Sequence, residues 1–374
     1  MHSKLSRKGM FGEVKKREKD LKEGRITNGV GYPIIGIEKF LGYYDSSMNI
    51  AYSPSISLTT DFSMAEAFCQ YKSKGKDEVV LDGTSSDKYT KRMEKALSFF
   101  KRENKISGSF RFYITRKKRY EDAKGLGESA SVASAAAEAL VKCVYGEEAS
   151  KDRRLVSMYA RLVSGSGTRS SSGEMSMWFS YPGIKSSQCY AEQINSNKEK
   201  IHIFAIPEKS KIETIGAHDA AKKSDFYKHW IFGKFSRFLA EIEFEGIDQL
   251  LEAAEKDTFR LDAVLMSGGM FVHNDKSLQR IKKFMDFKET DDRVFMSADT
   301  GPSLVFLSRN TKSLNSLKKF LGDEALEGAV PKTSTTSKKL KTPKEAESFL
   351  NSCSSIFGML TVAGFWGFIP LSNK

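Results

Sequence analysis

The stretch Arg161-Leu-Val-Ser-Gly-Ser-Gly-Thr-Arg-Ser-Ser-Ser-Gly-Glu-Met-Ser-Met-Trp178 places a run of small residues, with a cation inside it, between two apolar segments. Residues 156–163 have the periodicity of an amphipathic helix, and residues 175–179 are typical of a strand. The run therefore joins two regular elements. Arg169, within the run, carries a planar guanidinium that pairs bidentately with a carboxylate or a phosphate.

The small residues of this run can wrap an anion. Glycines allow the backbone to come close to a ligand, and hydroxyls supply short hydrogen-bond donors. A flexible surface linker has the same composition, so the residues alone leave both interpretations open. The residues concerned are Ser164, Gly165, Ser166, Gly167, Thr168, Ser170, Ser171, Ser172 and Gly173.

The chain has 374 residues, enough for one or two domains, and a formal net charge of +13. Such a charge suits an anionic partner, either a phosphorylated metabolite, a nucleic acid or a membrane surface. The basic residues are spread along the chain and form no known nucleic-acid module, so no nucleic-acid partner is expected. The charged start of the chain does not resemble a signal peptide.

The cysteines and histidines predict neither disulfides nor a metal site. The cysteines are far apart and the histidines form no paired ligand motif, so we expect reduced thiols in a cytoplasmic protein and structural or surface histidines. These residues are Cys69, Cys143, Cys189 and Cys353, and His2, His202, His218, His229 and His273.

In the first half of the chain, the patterns predict alternating strands and helices. A charged extension, residues 1–24, is predicted to be disordered or a frayed helix. A glycine turn at residues 125–127 opens an alanine-rich helix, whose amino terminus is either an anion site or a plain helix cap. Predicted strands cover 26–37, 53–60, 78–83 and 110–115, and a basic helix covers 88–103.

In the second half, helices are predicted at 225–245, 257–267 and 276–285, beside strands at 201–207 and 294–307. Residues 331–344 are predicted to be an exposed loop. The apolar segment 356–370 is shorter than the about 20 residues that span a bilayer, so a buried pair of strands is predicted and no membrane is expected. On their own, Lys39 is interpreted as a surface lysine and Asp299 as a turn residue.

Taken together, five motifs resemble those of the mevalonate diphosphate decarboxylases, a branch of the GHMP kinase superfamily. The similarity lies in their order and spacing and covers roughly residues 25–310. The motifs are Lys39-Phe-Leu-Gly-Tyr-Tyr-Asp45, Leu81-Asp-Gly83 with the helical Arg92, Gly125-Leu-Gly-Glu-Ser-Ala130, Val163-Ser-Gly-Ser-Gly-Thr-Arg-Ser170 and Asp299-Thr-Gly-Pro-Ser303.

The resemblance implies an α+β, two-domain GHMP kinase-like fold with the active site in the inter-domain cleft, and a homodimer. It divides the chain into the extension 1–24, an N-terminal domain over 25–195 and a C-terminal domain over 196–374.

It also implies roles for individual residues. Asp299, Lys39 and Arg169 match the catalytic residues of the family: Arg169 would hold the substrate carboxylate, Lys39 the 3-phosphate, and Asp299 would stabilise or orient the reacting centre. The substrate-binding candidates are Ser164, Ser166 and Arg92 for the 5-phosphate, Ser129 for the carboxylate or 3-phosphate, and Tyr43.

Two departures from the family pattern bear on substrate and cofactor. Tyr43 replaces a lysine that would hold the 5-diphosphate, which suits a single 5-phosphate better, and Leu41 and Tyr44 replace the neighbouring Trp and Arg. Glu128 replaces a serine of the phosphate loop, and a carboxylate there repels a triphosphate. Arg119, Glu121, Asp122 and Lys124 are expected to crowd the same approach.

With these departures the sequence is most similar to the archaeal mevalonate 3,5-bisphosphate decarboxylases, which need no ATP. That resemblance implies a phosphorylated mevalonate substrate, decarboxylation to isopentenyl phosphate and no cofactor. One alternative is a decarboxylase of 5-phospho- or 5-diphosphomevalonate that uses ATP with Mg²⁺. The other is a non-catalytic protein that binds anions or nucleic acid.

Overall fold

The computed structural model describes residues 12–14, 17–85, 87–121, 123–195, 200–210, 214–241, 246–322, 325–331 and 340–352. Helices and sheets are mixed along these residues, and the architecture is α+β, as predicted.

The first sheet has the strand order β1-β6-β9-β7-β8, antiparallel except for the parallel pair of β7 and β9. Helix α2 packs on its inner face. Gly29 and Gly31 permit this close approach, since a Cβ atom at Gly29 would lie 2.2 Å from the carbonyl oxygen of Ala135. The strands are β1 (Ile26–Gly31), β6 (Ser63–Lys72), β7 (Glu78–Leu81), β8 (Thr84–Ser85) and β9 (Ser109–Lys118), with helices α1 (Asp87–Asn104) and α2 (Glu128–Tyr145).

The second sheet has the strand order β11-β10-β5-β2. Its central strands are fully buried and continue into the helical pair that carries the serine-rich run. The elements are β2 (Ile34–Glu38), β5 (Ser55–Thr59), β10 (Met175–Trp178) and β11 (Ala191–Asn195), the ribbon of β3 (Tyr43–Asp45) and β4 (Ile50–Ala51), helices α3 (Arg153–Val163) and α4 (Gly167–Ser172), and the 3-10 helices Glu147–Lys151 and Ser186–Gln188.

The third sheet has the strand order β13-β14-β12-β15 and is flanked by helices. Helix α7 packs on both β13 and β2, so it connects the third sheet to the second. The elements are β12 (His202–Ile206), β13 (Phe295–Ser297), β14 (Leu304–Ser308) and β15 (Leu326–Gly328), with α5 (Thr214–Lys223), α6 (Tyr227–Glu241), α7 (Ile247–Ser267), α8 (Asp275–Lys288), α9 (Thr311–Leu321) and α10 (Lys344–Asn351).

Several predicted elements differ from the observed ones. The serine-rich run is not one continuous loop, because its middle forms α4 and is buried. Helix α2 begins at Glu128, after Gly127 in the left-handed conformation. The predicted helix 257–267 is the second half of the longer α7. Strand β6 and helices α9 and α10 were not predicted from the sequence patterns.

Residues 17–24 of the charged extension differ from the prediction, because they form no helix and are anchored to the body of the protein. The backbone N–H of Asp20 donates to the carbonyl oxygen of Val144 at 2.7 Å. Arg25, just after the extension, donates to the carbonyl oxygen of Cys143 at 2.8 Å.

The carboxyl-terminal part of the described chain returns to the first sheet. Helix α10 packs on β9 and β6, where Arg111 lies 4.3 Å from the ring centre of Phe349 and pairs with Glu78 at 2.7 Å. The predicted strands at 356–370 lie outside the described residues, as do 332–339 of the predicted loop. The domain boundary near residue 195 stays a prediction. No helix in the described parts of the chain has the length and apolar character needed to cross a membrane.

Candidate active site

A cavity of about 660 Å³ lies where the three sheets meet, and all the predicted site residues line it. Its walls come from β2 and β3, helix α1, the glycine turn before α2, the segment joining α3 to α4, helix α5 and the turn after β13. The structure thus brings together Lys39, Tyr43, Arg92, Ser129, Ser164, Ser166, Arg169 and Asp299, although their individual roles stay predictions.

Lys39 is buried, with 4% of its surface exposed, which corrects its interpretation from local sequence as a surface lysine. Its Nζ lies 3.0 Å from the carbonyl oxygen of Gly36, 3.0 Å from Thr258 Oγ1 and 3.1 Å from Ser297 Oγ. These oxygens are all uncharged. Burial lowers the pKa of Lys39, and the carboxylate of Asp299 opposes that effect.

Gly36 allows Lys39 and Asp299 to approach each other. A Cβ atom at Gly36 would lie 2.6 Å from Lys39 Cγ and 2.8 Å from Asp299 Oδ1, closer than any side chain tolerates. The backbone N–H of Gly36 also donates to Asp299 Oδ1 at 3.3 Å. Gly36 is therefore part of the site, and sequence reasoning missed it because a lone glycine in a strand carries no chemical signal.

Asp299 begins the tight turn between β13 and β14, in which Gly301 N donates to the carbonyl oxygen of Asp299 at 2.8 Å. Burial raises the pKa of Asp299, while Lys39 and Arg169 oppose the rise. Within the described part of the chain, these three groups form no ion pair with one another. Their charges are close but remain available to a ligand.

Arg169, in α4, has 3% of its surface exposed, and its guanidinium lies 5.2 Å from the ring centre of Phe40. Burial lowers the pKa of Arg169 to about 10, so the side chain stays charged at neutral pH. Its Nε is buried without a hydrogen-bond partner among the described residues. A buried, cationic fork with an unused donor suits a carboxylate ligand.

Most hydroxyls of the serine-rich run serve the fold. Thr168 donates to the carbonyl oxygen of Gly165, and Ser170 donates to that of Tyr32, each at 2.6 Å. Ser164 and Ser166 differ, since both are half-buried, line the cavity and lie 3.0 Å apart through their Oγ atoms.

His218, on α5, is a cavity residue that sequence reasoning assigned to a structural or surface role. Its Nδ1 accepts a hydrogen bond from Gly42 N at 2.7 Å, and its ring centre lies 5.2 Å from that of Tyr43. Burial lowers the pKa of His218 to about 4, so the ring is neutral at pH 7. A neutral ring that accepts at Nδ1 carries its proton on Nε2.

Cations surround the Tyr43 side of the cavity. Arg92 lies 5.8 Å from the ring centre of Tyr89 and acts electrostatically on both Tyr43 and His218. Lys95 and Lys222 also line the cavity. This side therefore attracts an anion without the lysine that Tyr43 replaces.

Glu128 is held by its own neighbours at the start of α2. Its carboxylate lies 3.1 Å from Arg116 Nη1 and 3.0 Å from Lys118 Nζ, and it accepts a hydrogen bond from the hydroxyl of Tyr120 at 2.8 Å. Burial, together with Glu128, raises the pKa of Tyr120, which keeps its hydroxyl protonated as a donor. Two protein cations and the Tyr120 hydroxyl thus already hold the carboxylate of Glu128, the first residue of α2.

Of the residues predicted to crowd this approach that the structure describes, only Lys124 lines the cavity. Arg119 pairs with Asp61 at 3.0 Å and does not contact Glu128. The side chain of Glu121 is 95% exposed, and Asp122 lies outside the described residues. Lys124 does line the cavity, and its backbone abuts Gly301 of the Asp299 turn, where a Cβ atom would lie 2.9 Å from it.

A second charged cluster lies directly behind Lys39 and has no access to the cavity. The ammonium of Lys234 lies 2.6 Å from Glu38 and 2.8 Å from Asp257, and none of the three side chains is exposed. Asp257 Oδ2 also accepts the backbone N–H of Lys39 at 2.7 Å. Among the described residues, no group of three or more His, Cys, Asp or Glu side chains is arranged to hold a metal ion.

Comparison with known proteins agrees with this geometry. The diphosphomevalonate decarboxylase-like N-terminal domain matches residues 31–191. The chain is 42% identical to mevalonate 3,5-bisphosphate decarboxylase from Thermoplasma acidophilum, over 87% of this chain and 81% of the relative. It is also 42% identical to the enzyme of that name from Thermoplasma volcanium, over 86% of each chain.

A solved structure of mevalonate diphosphate decarboxylase from Enterococcus faecalis superposes with a TM-score of 0.69 at 21% identity. The match covers 82% of this chain and 98% of the other, and it confirms the predicted GHMP kinase-like fold. The 42% identity to the two Thermoplasma proteins, over most of each chain, identifies the family in addition to the fold. The chain belongs to the family of mevalonate 3,5-bisphosphate decarboxylases, within the diphosphomevalonate decarboxylase-like proteins.

Proposed function

We propose that the protein decarboxylates mevalonate 3,5-bisphosphate to isopentenyl phosphate, phosphate and carbon dioxide, without a nucleotide. The bond between C3 and the 3-phosphate oxygen breaks, and the phosphate leaves with the electron pair. The electrons of the bond between the carboxylate carbon and C2 then form the C2–C3 double bond, and the carboxylate leaves as CO₂. Positive charge develops at C3 as the phosphate departs.

The three buried charges suit this reaction. Arg169 would hold the carboxylate in its fork, Lys39 would neutralise the departing 3-phosphate, and Asp299 would stabilise the positive charge at C3. Charges that are fixed before the substrate arrives need no reorganisation in the transition state. The observation that carries the proposal is that the three come from distant segments to one cavity, unpaired with each other.

The surroundings of Glu128 support a reaction without ATP. In this fold a glycine turn at a helix amino terminus is the natural place for nucleotide phosphates. Here Glu128 is the first residue of α2, and its carboxylate pairs with Arg116 and Lys118. A triphosphate would have to displace that carboxylate or lie beside it, and both cost free energy.

The Tyr43 side of the cavity supports a single 5-phosphate. Ser164 and Ser166 supply hydroxyl donors, Arg92 a charge, and His218 a neutral N–H. Tyr43 packs against Phe40 and His218, at 5.7 and 5.2 Å between ring centres, and its uncharged ring stands where the family has a lysine for the 5-diphosphate.

The test gives the purified protein mevalonate 3,5-bisphosphate without ATP while phosphate and CO₂ release are followed. Parallel reactions contain 5-phospho- or 5-diphosphomevalonate with ATP and Mg²⁺. We expect turnover in the first reaction alone. Turnover only in the reactions with ATP would identify the ATP-dependent alternative, and no turnover in any would favour an anion-binding protein. The homodimer and the cytoplasmic location also stay proposals, and light scattering of the purified protein tests the first.

A further inference from the structure

Thr258, on α7, contacts both of the segments that carry Lys39 and Asp299. Its Oγ1 lies 3.0 Å from Lys39 Nζ and accepts the backbone N–H of Ala298, the residue before Asp299, at 3.2 Å. The same hydroxyl donates to the carbonyl oxygen of Ala254 at 2.8 Å. Thr258 is fully buried, so water does not compete for these bonds.

The direction of the hydroxyl proton decides what this oxygen can do. A hydroxyl has one proton and two lone pairs, and the proton of Thr258 is used by Ala254 in its own helix. Both lone pairs therefore face outward, one to the ammonium of Lys39 and the other to the N–H of Ala298. Ser297 Oγ behaves in a similar way, since it donates to Gly36 O at 2.7 Å and accepts from Lys39 at 3.1 Å. The carbonyl oxygens of Gly36 and Ala254 also accept from Lys39 Nζ, at 3.0 and 3.4 Å.

We propose that Thr258 is a positioning residue, which sets Lys39 and the Asp299 turn relative to each other through a single hydroxyl oxygen. The role rests on the proposed function of Lys39 and Asp299. Because the Thr258 oxygen is neutral, it orients the ammonium without neutralising it, which leaves the charge available to the substrate. A carboxylate in this place would form an ion pair with Lys39 instead.

The consequences of removing the hydroxyl can be separated from a loss of packing. Thr258→Val keeps the shape but leaves Lys39 without one acceptor and Ala298 without its partner. Thr258→Ser keeps the oxygen and removes only a methyl group. Thr27→Val is the matched control, because Thr27 is a buried threonine that donates to a helix carbonyl, Ala139 O, at 2.7 Å, outside the cavity.

The first measurement is steady-state kinetics on mevalonate 3,5-bisphosphate. We expect Thr258→Val to lower kcat by about 10- to 100-fold, because small displacements of reacting groups are costly. KM should change by less than about twofold, since Arg169 and the serines still bind the substrate. Thr258→Ser and Thr27→Val should keep kcat near that of the wild type.

The second measurement follows Lys39 itself and needs no turnover. The chain labelled with ¹³C at lysine Cε is titrated by NMR, and the Lys39 signal is assigned with Lys39→Arg. Loss of an acceptor for the ammonium should lower the titration midpoint of Lys39 in Thr258→Val, and Thr258→Ser should restore it. The charged groups facing Lys39 are unchanged in these variants: Asp299 from the turn after β13, Asp257 from α7, Lys234 from α6 and Glu38 from β2.

The two measurements separate failure of the proposal from failure of the function. An unchanged kcat and Lys39 midpoint in Thr258→Val would overturn the positioning role. So would a loss in Thr258→Ser as large as in Thr258→Val, because packing would then be responsible. If the wild type does not turn over the bisphosphate while the Lys39 midpoint still falls in Thr258→Val, the proposed function fails and the positioning role stands.

Discussion

Two residues adjacent in the sequence, Glu38 and Lys39, belong to two different charged clusters. The groups of the first cluster are ion-paired, and those of the second, as far as the structure describes the chain, are not. Behind the cavity, Glu38 and Asp257 are bonded to Lys234 at 2.6 and 2.8 Å, and no side chain of the three is exposed. In the cavity, Lys39 is held by uncharged oxygens and forms no ion pair with Asp299 in the described part of the chain. In the first cluster the charged groups pair with one another. In the second cluster, among the described residues, Lys39 and Asp299 have no ion-pair partner.

The pKa values of the two aspartates differ in direction, although burial also raises the pKa of Glu38 despite its pairing with Lys234. Burial pushes the pKa of Asp257 upward, but Lys234 and Lys39 outweigh it and hold that pKa below its ordinary value. Burial also pushes the pKa of Asp299 upward, and there the more distant Lys39 and Arg169 do not compensate. A buried carboxylate with a direct partner is a structural group, whereas one without a partner is a group that a substrate can use.

Removal of the central cation of the paired cluster should have the largest effect. Lys234→Met leaves Glu38 and Asp257 buried together with only the partly exposed Arg237 near them, at 3.7 and 3.8 Å. We expect a loss of about 3 kcal/mol in the free energy of unfolding, at the lower end of the cost of breaking a buried ion pair. Chemical denaturation of the wild type and the variant measures it. Lys256→Met is the control, since Lys256 makes an exposed pair with Glu252 on the same helix and its loss should cost no more than about 0.5 kcal/mol.

An equal, small loss of stability in Lys234→Met and Lys256→Met would break the comparison, because the buried cluster would then behave like a surface pair.

Neutralisation of the unpaired carboxylate, Asp299, should cost activity but little stability. Asp299→Asn keeps the shape of the turn and the acceptor for Gly36 N, and it removes a buried charge that has no ion-pair partner among the described residues, so the unfolding free energy should fall little, or rise. Turnover of mevalonate 3,5-bisphosphate should decrease by about 100- to 1,000-fold, the usual cost of losing one preorganised electrostatic group. Phosphate release measures the rate.

The control for this variant is Asp248→Asn, which removes a 57% exposed carboxylate paired with Arg309. It should leave the rate unchanged. If Asp299→Asn kept the wild-type rate, Asp299 would be one more structural carboxylate and the distinction between the clusters would have no chemical meaning.

The unpaired cluster was largely predictable from the sequence, whereas the paired cluster was not. Lys39, Arg169 and Asp299 lie in motifs whose order and spacing resemble a known family, and those motifs also carried the fold. Lys234 and Asp257 lie within ordinary helical patterns. A buried ion pair across 23 residues of two helices leaves no local signal, because its partners meet only after the helices pack.

The same reason explains what was missed inside the cavity. His218 was assigned a structural or surface role because a single histidine shows no ligand spacing, and its neutral state comes from burial against Phe40 and Tyr43. The run around Arg169 was interpreted as an anion-binding loop or a flexible linker because of its glycines and serines. Packing on α2, where a Cβ at Gly167 would lie 2.6 Å from Ala133 Cβ, selects the short helix α4 instead.

The pH dependence of kcat is the smallest effect that we expect. It tests directly whether the unpaired charges of Lys39 and Asp299 are shielded from water. Activity requires charged Asp299, so it falls as the pH drops through a pKa raised above the ordinary 3.8. It also requires charged Lys39, so it falls as the pH rises through a pKa lowered from the ordinary 10.5. We expect a bell-shaped profile with both limbs inside that range, measured at saturating substrate. Lys39→Arg, if active, should keep an alkaline limb only near the pKa of about 10 that burial gives Arg169, the other cation that the reaction requires. Limbs at the ordinary values would mean that water reaches the two groups, and that burial does not maintain their unpaired charges.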